Sequence, residues 1–363
     1  MNLIKNRYEE DRLFFFFLML FACNTANDNK ELKYITEFPQ TVDAILQEDT
    51  VEQVLSCVGD MQIVNNMLIT IDLKEDVFFQ FFRLPELKHM DSQIHRGGGP
   101  EEESDIFPYI FPIEEDTFAY RTLLQVKKVF YDSEDRKLKE KETIILPVNF
   151  VNLLNFAITS DAIYSYDMIG QSEQEFVKYD FESKKMEDFG SRYPIVNINI
   201  KKEQRNMIFT KIMTGHHADG RLAIGYDKFP LMRIYDVKNE IIAETMYDNR
   251  QKEPIPYLEQ SPRLTDFEDL TINYLKMEST DKYIYALYSG KTPKELKGKY
   301  DYCSEVHVWD WNGNPIVRFI LNKNMSAFAV SPDDSFLLFY SITQDDRIYR
   351  YDIDEKITKT YNY

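Results

Sequence analysis

The chain has 363 residues, of which 44% are hydrophobic and 29% are charged, so it can bury a core and is not a disordered polymer. Aromatic residues make up 14%, and they suit the half-buried surface of β-strands, so the composition favours an all-β fold. The net charge of −18 argues against a nucleic-acid partner, which demands a basic surface, and equally against electrostatic docking to an anionic membrane.

The first 23 residues differ from all that follow. A polar start with three basic residues precedes an apolar run over 13–22, which is far too short to span a membrane and has the length of a signal-peptide core. Leu20-Phe21-Ala22-Cys23 is similar to the lipobox of bacterial lipoproteins, in which the peptide is cut before a lipid-bearing cysteine. We therefore expect a signal peptide over 1–22, a lipidated Cys23 and a polar tether over 23–38. An ordinary secretory signal with an incidental cysteine is the alternative.

A repeated strand pattern occupies the rest of the chain. Six apolar, alternating segments end on a charged residue, five of them on aspartate: Arg83, Asp132, Asp180, Asp236, Asp310 and Asp352. The shorter intervals between these positions match the roughly 40–50 residues of a four-stranded propeller blade. Each segment is interpreted as the third strand of a blade. The sequence thus predicts a six-bladed β-propeller of four-stranded antiparallel blades over 39–363.

Turn residues set the predicted blades near 58–95, 105–146, 150–191, 195–247, 270–322 and 325–361. Asn312-Gly313 and Asp219-Gly220 have the chemistry of hairpin turns, and Ser331-Pro332-Asp333 predicts a turn before a strand over 336–342. Part of 31–57 is expected to supply a strand that closes the ring against the last blade, because closure removes exposed sheet edges.

Motifs that carry chemistry are scarce. The glycine-rich segment 96–101 lacks the context of a phosphate-binding loop, and we interpret it as a crossing between blades that needs a positive φ. His216 and His217 form a hairpin loop or, less simply, a weak metal or substrate contact. Cys57 and Cys303 are expected to stay unpaired, because blade six separates them. No catalytic residue, metal site or cofactor is predicted.

The interval between the fourth and fifth repeats is the longest, because it contains two insertions, 248–270 and 291–303. The first insertion carries three prolines, aromatic residues and basic residues, and long loops on rigid scaffolds are common recognition sites. We therefore expect Tyr257, Arg263 and Phe267 to contact a partner. A decorative surface loop is the alternative.

Three segments resemble the TolB-like six-bladed propeller lipoproteins of bacterial envelopes: 96–101 with its Gly-Pro-Glu link, 285–292 and 306–315 with its Asn-Gly hairpin. The resemblance implies a lipid-anchored protein of the cell envelope, at the outer membrane, facing the periplasm or the surface. We expect a binding, scaffold or sensor module for a protein, peptide or glycan, attached to the membrane only through its N-terminal lipid. The alternative is a hydrolase or lyase that acts on a glycan at the axial channel.

Overall fold

The computed structural model describes residues 32–99, 101–150, 153–166, 174–192, 208–216, 219–236, 238, 240–247, 270–298 and 301–354. Three short strands come first along this part of the chain: β1 (Lys33–Ile35), β2 (Thr41–Ala44) and β3 (Gln47–Thr50). The strands that follow form six sheets, and the sheets are the six blades of a β-propeller. The predicted fold is confirmed.

Blades 1 to 3 are each built from consecutive antiparallel strands. Blade 1 contains β4 (Val58–Val64), β5 (Met67–Asp72), β6 (Val77–Arg83), β7 (Lys88–Arg96) and a short parallel addition, β8 (Glu102–Glu103). Blade 2 contains β9 (Phe111–Pro112), β10 (Thr117–Arg121), β11 (Gln125–Asp132) and β12 (Lys137–Ile145), and the 3-10 helix Val148–Phe150 follows it. Blade 3 contains β13 (Leu154–Ile158), β14 (Ala162–Tyr166), β15 (Gln174–Asp180) and β16 (Met186–Arg192).

Blades 4 to 6 each combine later strands with one of the first three. Blade 4 contains β17 (Lys211–Gly215), β18 (Leu222–Tyr226), β19 (Leu231–Tyr235) and β20 (Ile241–Tyr247). Blade 5 contains β21 (Ile272–Ser279), β22 (Tyr283–Lys291), β23 (Cys303–Asp310) and β24 (Pro315–Met325), with helix α1 (Pro293–Leu296) between β22 and β23. Blade 6 contains β25 (Ala327–Val330), β26 (Phe336–Ser341) and β27 (Gln344–Asp352).

The third strands lie where the repeat predicts them. The six predicted segments are β6, β11, β15, β19, β23 and β27, and each is the third strand of its blade. Asn312-Gly313 joins β23 to β24, and Gly313 has a φ of 75°, a conformation that glycine adopts without strain.

Successive side chains along a strand point to opposite faces of the blade, and both faces are packed with hydrophobic residues. On β22, Tyr285 and Leu287 pack toward blade 6, whereas Ile284, Ala286 and Tyr288 pack toward blade 4. Five hydrophobic clusters connect neighbouring blades in this way, and together they cover every junction, including the one between blades 6 and 1. The ring is therefore closed by its cores.

The N-terminal strands add to the outer edges of three blades. β3 pairs antiparallel with β27 and serves as the fourth strand of blade 6, which confirms the expected closing strand. β1 and β2 pair in parallel with β20 and β24, which the sequence analysis did not predict. Lys33–Ile35, inside the predicted tether, is thus part of blade 4's sheet. Between β1 and β2, Phe38 is buried against the rings of Tyr247, His307 and Trp309.

The glycine-rich crossing has a different physical reason from the one predicted. Gly97, Gly98 and Gly99 do not have positive φ; the positive value in this turn belongs to Glu101, at 65°. A Cβ on Gly97 would lie 2.0 Å from Glu102 Oε2, and the same atom accepts a hydrogen bond from Gly99 N at 2.7 Å. The glycines make room for a carboxylate that caps the turn.

The two described cysteines lie apart in the chain order of the ring. Cys57 precedes β4 of blade 1, and Cys303 begins β23 of blade 5; both thiols are unpaired in the structure. Burial raises the pKa of Cys303 well above its usual value. Within the ranges described above, no helix is long and apolar enough to cross a bilayer.

Candidate functional site

The residues proposed from sequence as functional lie outside the described ranges. They are Cys23, Tyr257, Arg263 and Phe267. His217 is outside them as well, but His216 is described and is 5% exposed. Its ring contacts the backbone carbonyl of Asp281 at 3.1 Å and the carboxylate of Asp219 at 3.0 Å, and it packs on Trp311. His216 therefore holds blade 4 against blade 5.

The structure brings together a group of polar side chains on the ring axis. The first strand of each blade lines the axis, and side chains two residues apart on a strand point the same way. Asp60 and Gln62 of β4 thereby meet Lys276 and Glu278 of β21. Blades 1 and 5 are not neighbours, because blade 6 lies between them, so these contacts cross the centre of the ring. Together with Tyr109, these four residues are named the axial cluster.

Asp60 and Lys276 form the first half of the axial cluster. The Lys276 ammonium donates to the carbonyl of Gly59 at 2.6 Å and lies 3.5 Å from Asp60 Oδ1. Asp60 Oδ2 accepts a hydrogen bond of 2.7 Å from the backbone N–H of Ile110. Lys276 also lies over the ring of Tyr109, 4.9 Å from its centroid. Each oxygen of Asp60 thus has a partner, and Lys276 forms its ion pair with Asp60.

Gln62 and Glu278 form the second half. Gln62 Nε2 donates to Glu278 Oε2, and no ion pair to Glu278 is present among the described residues. Burial, together with the nearby Asp60 carboxylate, raises the pKa of Glu278 well above its usual value of 4.5. Burial also raises the pKa of Asp60. Because two carboxyl groups share one ammonium, ionisation of Glu278 is less favourable than that of an exposed glutamate.

The axial cluster surrounds a small chamber. Its volume is about 40 Å³, enough for about three water molecules, and its other walls come from β9, β13 and β17. Tyr109 extends the polar wall by donating to Asn155 Oδ1 at 2.8 Å. On the far wall, the hydroxyl groups of Thr214 and Ser279 are 2.9 Å apart.

A much larger cavity, named here the cup, opens above the chamber on the face that carries the turns between first and second strands. Its volume is about 800 Å³, and it is lined by residues of blades 1, 2, 5 and 6: 62–66, 84–85, 112–115, 279–281, 330–333 and 336. Gln62, Pro112 and Ser279 line both cavities, so they form the boundary between them.

The wall of the cup is acidic. Four carboxylates line it, Glu114, Glu115, Asp281 and Asp333, and none of the described residues that line it is basic. Glu114 already pairs with Lys141 at 3.2 Å, outside the cup. A concave surface of one charge concentrates ligands of the opposite charge, so the cup favours a cationic group.

The same geometry limits what the axis can do chemically. Asp60 and Glu278 are only 4% and 5% exposed, and the chamber between them admits small molecules alone. Among the described residues, no group of three histidine, cysteine or acidic side chains could hold a metal ion. The arrangement is suited to binding.

The sequence analysis missed the axial cluster, although a signal was present. Asp60 and Gln62 stand two apart in an otherwise apolar first strand, and Lys276 and Glu278 repeat this spacing in the first strand of blade 5. Polar and charged residues at alternate positions of a buried strand point to a polar axis. Their partnership across the ring, however, depends on the ring order.

The described structure is thus that of a closed six-bladed β-propeller with a polar axis and an acidic cup at one mouth. The family described as TolB-like 6-blade propeller-like matches residues 47–333, and the chain belongs to this family. The match begins at Gln47, where β3 starts.

A solved structure shares the fold. It is a member of the DUF4221 family from Bacteroides vulgatus, with a TM-score of 0.55 and 10% sequence identity, over 85% of this chain and 98% of that chain. At this identity the similarity shows the fold alone. No curated protein matches the chain.

Proposed function

We propose that this propeller is a lipid-anchored binding module of the bacterial envelope that holds a positively charged segment of a partner protein or peptide in its cup. The observation that carries the proposal is the cup itself, about 800 Å³ in volume, with four lining carboxylates and no basic residue among the described residues of its wall. Most ligand sites are concave and have volumes in this range. A glycan lacks the positive charge that this wall favours.

The experiment is a binding titration of the full chain with fluorescein-labelled hexalysine. The test variant E115Q/D281N/D333N removes three acids from the cup; its matched control, E134Q/E140Q/E182Q, removes three exposed acids elsewhere. Both variants change the net charge from −18 to −15 (−18 + 3). We expect the cup variant to bind at least tenfold more weakly than the wild type and the control to stay within about twofold. Equal weakening of the two variants would mean that only overall charge matters, and the cup would not be the site.

The alternative is a hydrolase or lyase for glycans at the axial channel, and it has less support. The axial carboxyl groups are buried around a chamber of about 40 Å³, which is far smaller than the cup. Turnover of a glycan by the wild type that is abolished in Glu278→Gln would favour the enzyme over the binding module.

Membrane attachment is proposed through Cys23, on the strength of the lipobox-like segment 20–23 and the short apolar run before it. With Cys23 as the anchor, residues 24–31 join the lipid to Leu32 and span at most about 30 Å. Expression with a labelled fatty acid, beside Cys23→Ala, tests the attachment. Label on the wild type alone is expected; equal labelling of both proteins, or a mature N-terminus elsewhere, would reject it.

Recognition by the insertion 248–270, with Tyr257, Arg263 and Phe267, stays a separate proposal supported by its prolines and aromatic residues. If recognition by the insertion is independent of the cup, a variant in which a Gly-Ser link replaces the insertion should retain hexalysine binding. If the insertion recognises a partner of its own, this variant loses that partner while its melting temperature stays unchanged. A large fall in melting temperature would identify the insertion as a structural cover.

A further inference from the structure

Glu278 lies directly below the floor of the cup with one oxygen unused. It is 5% exposed, its Oε2 accepts from Gln62, and its Oε1 accepts no hydrogen bond in the described part of the chain. Glu278 lines the chamber, and Gln62 lines both the chamber and the cup. The Gln62 amide therefore stands between the cup and a buried carboxyl group that shares the nearby Lys276 ammonium with Asp60.

The charges around Glu278 leave room for one more cation. The titratable and charged groups that face it are Asp60 on β4, Lys276 on its own strand, and Tyr109 before β9. Lys276 is engaged by Asp60 and by the carbonyl of Gly59. The described residues of β9, β13 and β17 in the chamber wall contribute no charged side chain. An additional positive charge would balance the second carboxyl group.

The shape of the cation decides how well it fits the chamber. An ammonium group on an unbranched alkyl stem is compact, whereas a guanidinium is planar and carries five N–H groups that need acceptors. A metal ion would need further ligands, and the described residues contain no group of three that could supply them.

We propose that Glu278 is the specificity-determining residue of the cup and accepts a primary ammonium group, presented by a lysine side chain of the bound segment or by a free polyamine. This inference rests on the proposed function of the cup. The ammonium displaces Gln62 Nε2 from Glu278 and donates to both carboxylate oxygens. Glu278 ionises as the ligand enters, and its proton passes to the solvent, so binding releases protons. Burial raises the pKa of Glu278, which is why a proton is present to be released.

The experiment uses the full chain and four probes: acetylated and amidated hexalysine, the matching hexaarginine, spermidine and spermidine acetylated at both ends. Calorimetry in two buffers of different ionisation enthalpy measures affinity and proton release together. For the wild type we expect hexalysine to bind at least tenfold more tightly than hexaarginine, with release of up to one proton. Affinity for hexalysine should rise with pH until Glu278 is ionised without ligand.

Two variants separate a ligand role from a structural one. Glu278→Gln removes the carboxylate but keeps an oxygen that can accept from Gln62, whereas Gln62→Ala removes the donor and keeps the carboxylate. If the pair is merely structural, neither variant changes the preference for hexalysine over hexaarginine. The proposal predicts opposite results. Glu278→Gln should lose at least tenfold in hexalysine affinity, together with the preference over arginine and the proton release. Gln62→Ala should bind as well as the wild type or a few-fold better. Glu134→Gln, which removes an exposed charge, should change nothing beyond about twofold.

Each outcome decides between the alternatives. Dependence on Glu278 for hexalysine alone assigns a lysine side chain, whereas dependence for spermidine alone assigns a polyamine and rejects a peptide ligand. Equal binding of hexalysine and hexaarginine by the wild type, with no effect of Glu278→Gln, would overturn the inference. If the cup variant E115Q/D281N/D333N still weakened binding in that case, the proposed function would survive. If that variant also had no effect, the proposed function would fail too.

Discussion

Two buried ionic clusters of this propeller differ in the partners that they give to a buried glutamate. One lies between blades 3 and 4, where Glu175 is completely buried. It accepts hydrogen bonds from Lys211 at 3.0 Å, Arg233 at 2.8 Å, Tyr226 at 2.5 Å and Tyr235 at 2.7 Å. The other is the axial cluster, in which the neutral Gln62 is the one hydrogen-bond partner of Glu278 among the described residues.

The difference lies in the balance of charge. Among the described residues around Glu175, two carboxylates face two cations, because Glu244 also pairs with Arg233 at 3.0 Å. Burial alone would raise the pKa of Glu175, but Lys211 and Arg233 outweigh it and lower the pKa to about 2. On the axis, two carboxyl groups face one ammonium, and the pKa of Glu278 is raised. A complete cluster holds blades together, whereas an incomplete one is a place where a ligand can supply the missing charge.

The largest expected effect is the loss of the Glu175 charge. Glu175→Gln leaves Lys211 and Arg233 buried with one carboxylate between them, and breaking such a pair costs about 3–5 kcal/mol of unfolding free energy. Glu278→Gln keeps the shape of the side chain and an oxygen that can accept from Gln62, so it should cost less than about 1 kcal/mol. Urea denaturation at neutral pH measures both. Similar losses for the two variants would contradict the contrast between the clusters.

The same contrast shows which parts of the molecule the sequence can predict. The third strands were predictable, because their alternation and terminal aspartates are local patterns that recur once in each blade. The closing strand followed from the need to remove a sheet edge. β1 and β2 were not predictable, because they have three and four residues, mostly exposed, and their pairing in parallel depends on which blade edges lie nearby.

The site divides in the same way. Asp60 and Gln62, like Lys276 and Glu278, were recognisable one strand at a time as polar pairs in apolar surroundings. The contact between Glu278 and Gln62, 216 residues apart, depends on the tertiary structure and could not be predicted from either strand alone. The predicted positive φ at the glycine-rich turn was wrong for a related reason. Gly97 and Gly99 leave space for the side chain of Glu102, and an argument from backbone dihedral angles does not include that contact.

The difference in unfolding free energy between the wild type and Glu175→Gln should become smaller at acidic pH. The pKa of Glu175 is about 2 in the folded state and about 4.5 when unfolded, so its contribution is complete above pH 4.5 and is lost as the pH falls toward 2. That interval corresponds to about 3 kcal/mol. The gap in unfolding free energy between the two proteins should narrow by about 2.5 kcal/mol from pH 5 to pH 2.5. A gap that stays constant would show that Glu175 is not ionised in the fold.

The axial cluster should show the opposite dependence on pH. Because the pKa of Glu278 is raised on folding, the folded state keeps a proton that the unfolded chain loses above about pH 4.5. The wild type should therefore lose stability relative to Glu278→Gln by about 1.4 kcal/mol for each pH unit, until the folded pKa is reached. Chemical denaturation at pH 4.5, 5.5 and 6.5 measures this slope. Parallel curves would place the pKa of Glu278 at its ordinary value.

The smallest expected effects come from neutral hydrogen-bond donors. Tyr235→Phe removes one of four donors to an ionised carboxylate and should cost about 1.5–2 kcal/mol, since hydrogen bonds to charged groups are the stronger ones. Gln62→Leu removes the donor to a protonated Glu278 and should cost about 1 kcal/mol or less at neutral pH. Denaturation of both variants beside the wild type gives the two values. If Gln62→Leu cost more than Tyr235→Phe, Glu278 would have to be ionised without a ligand, and the axial cluster would then contain a charge that Gln62 alone stabilises.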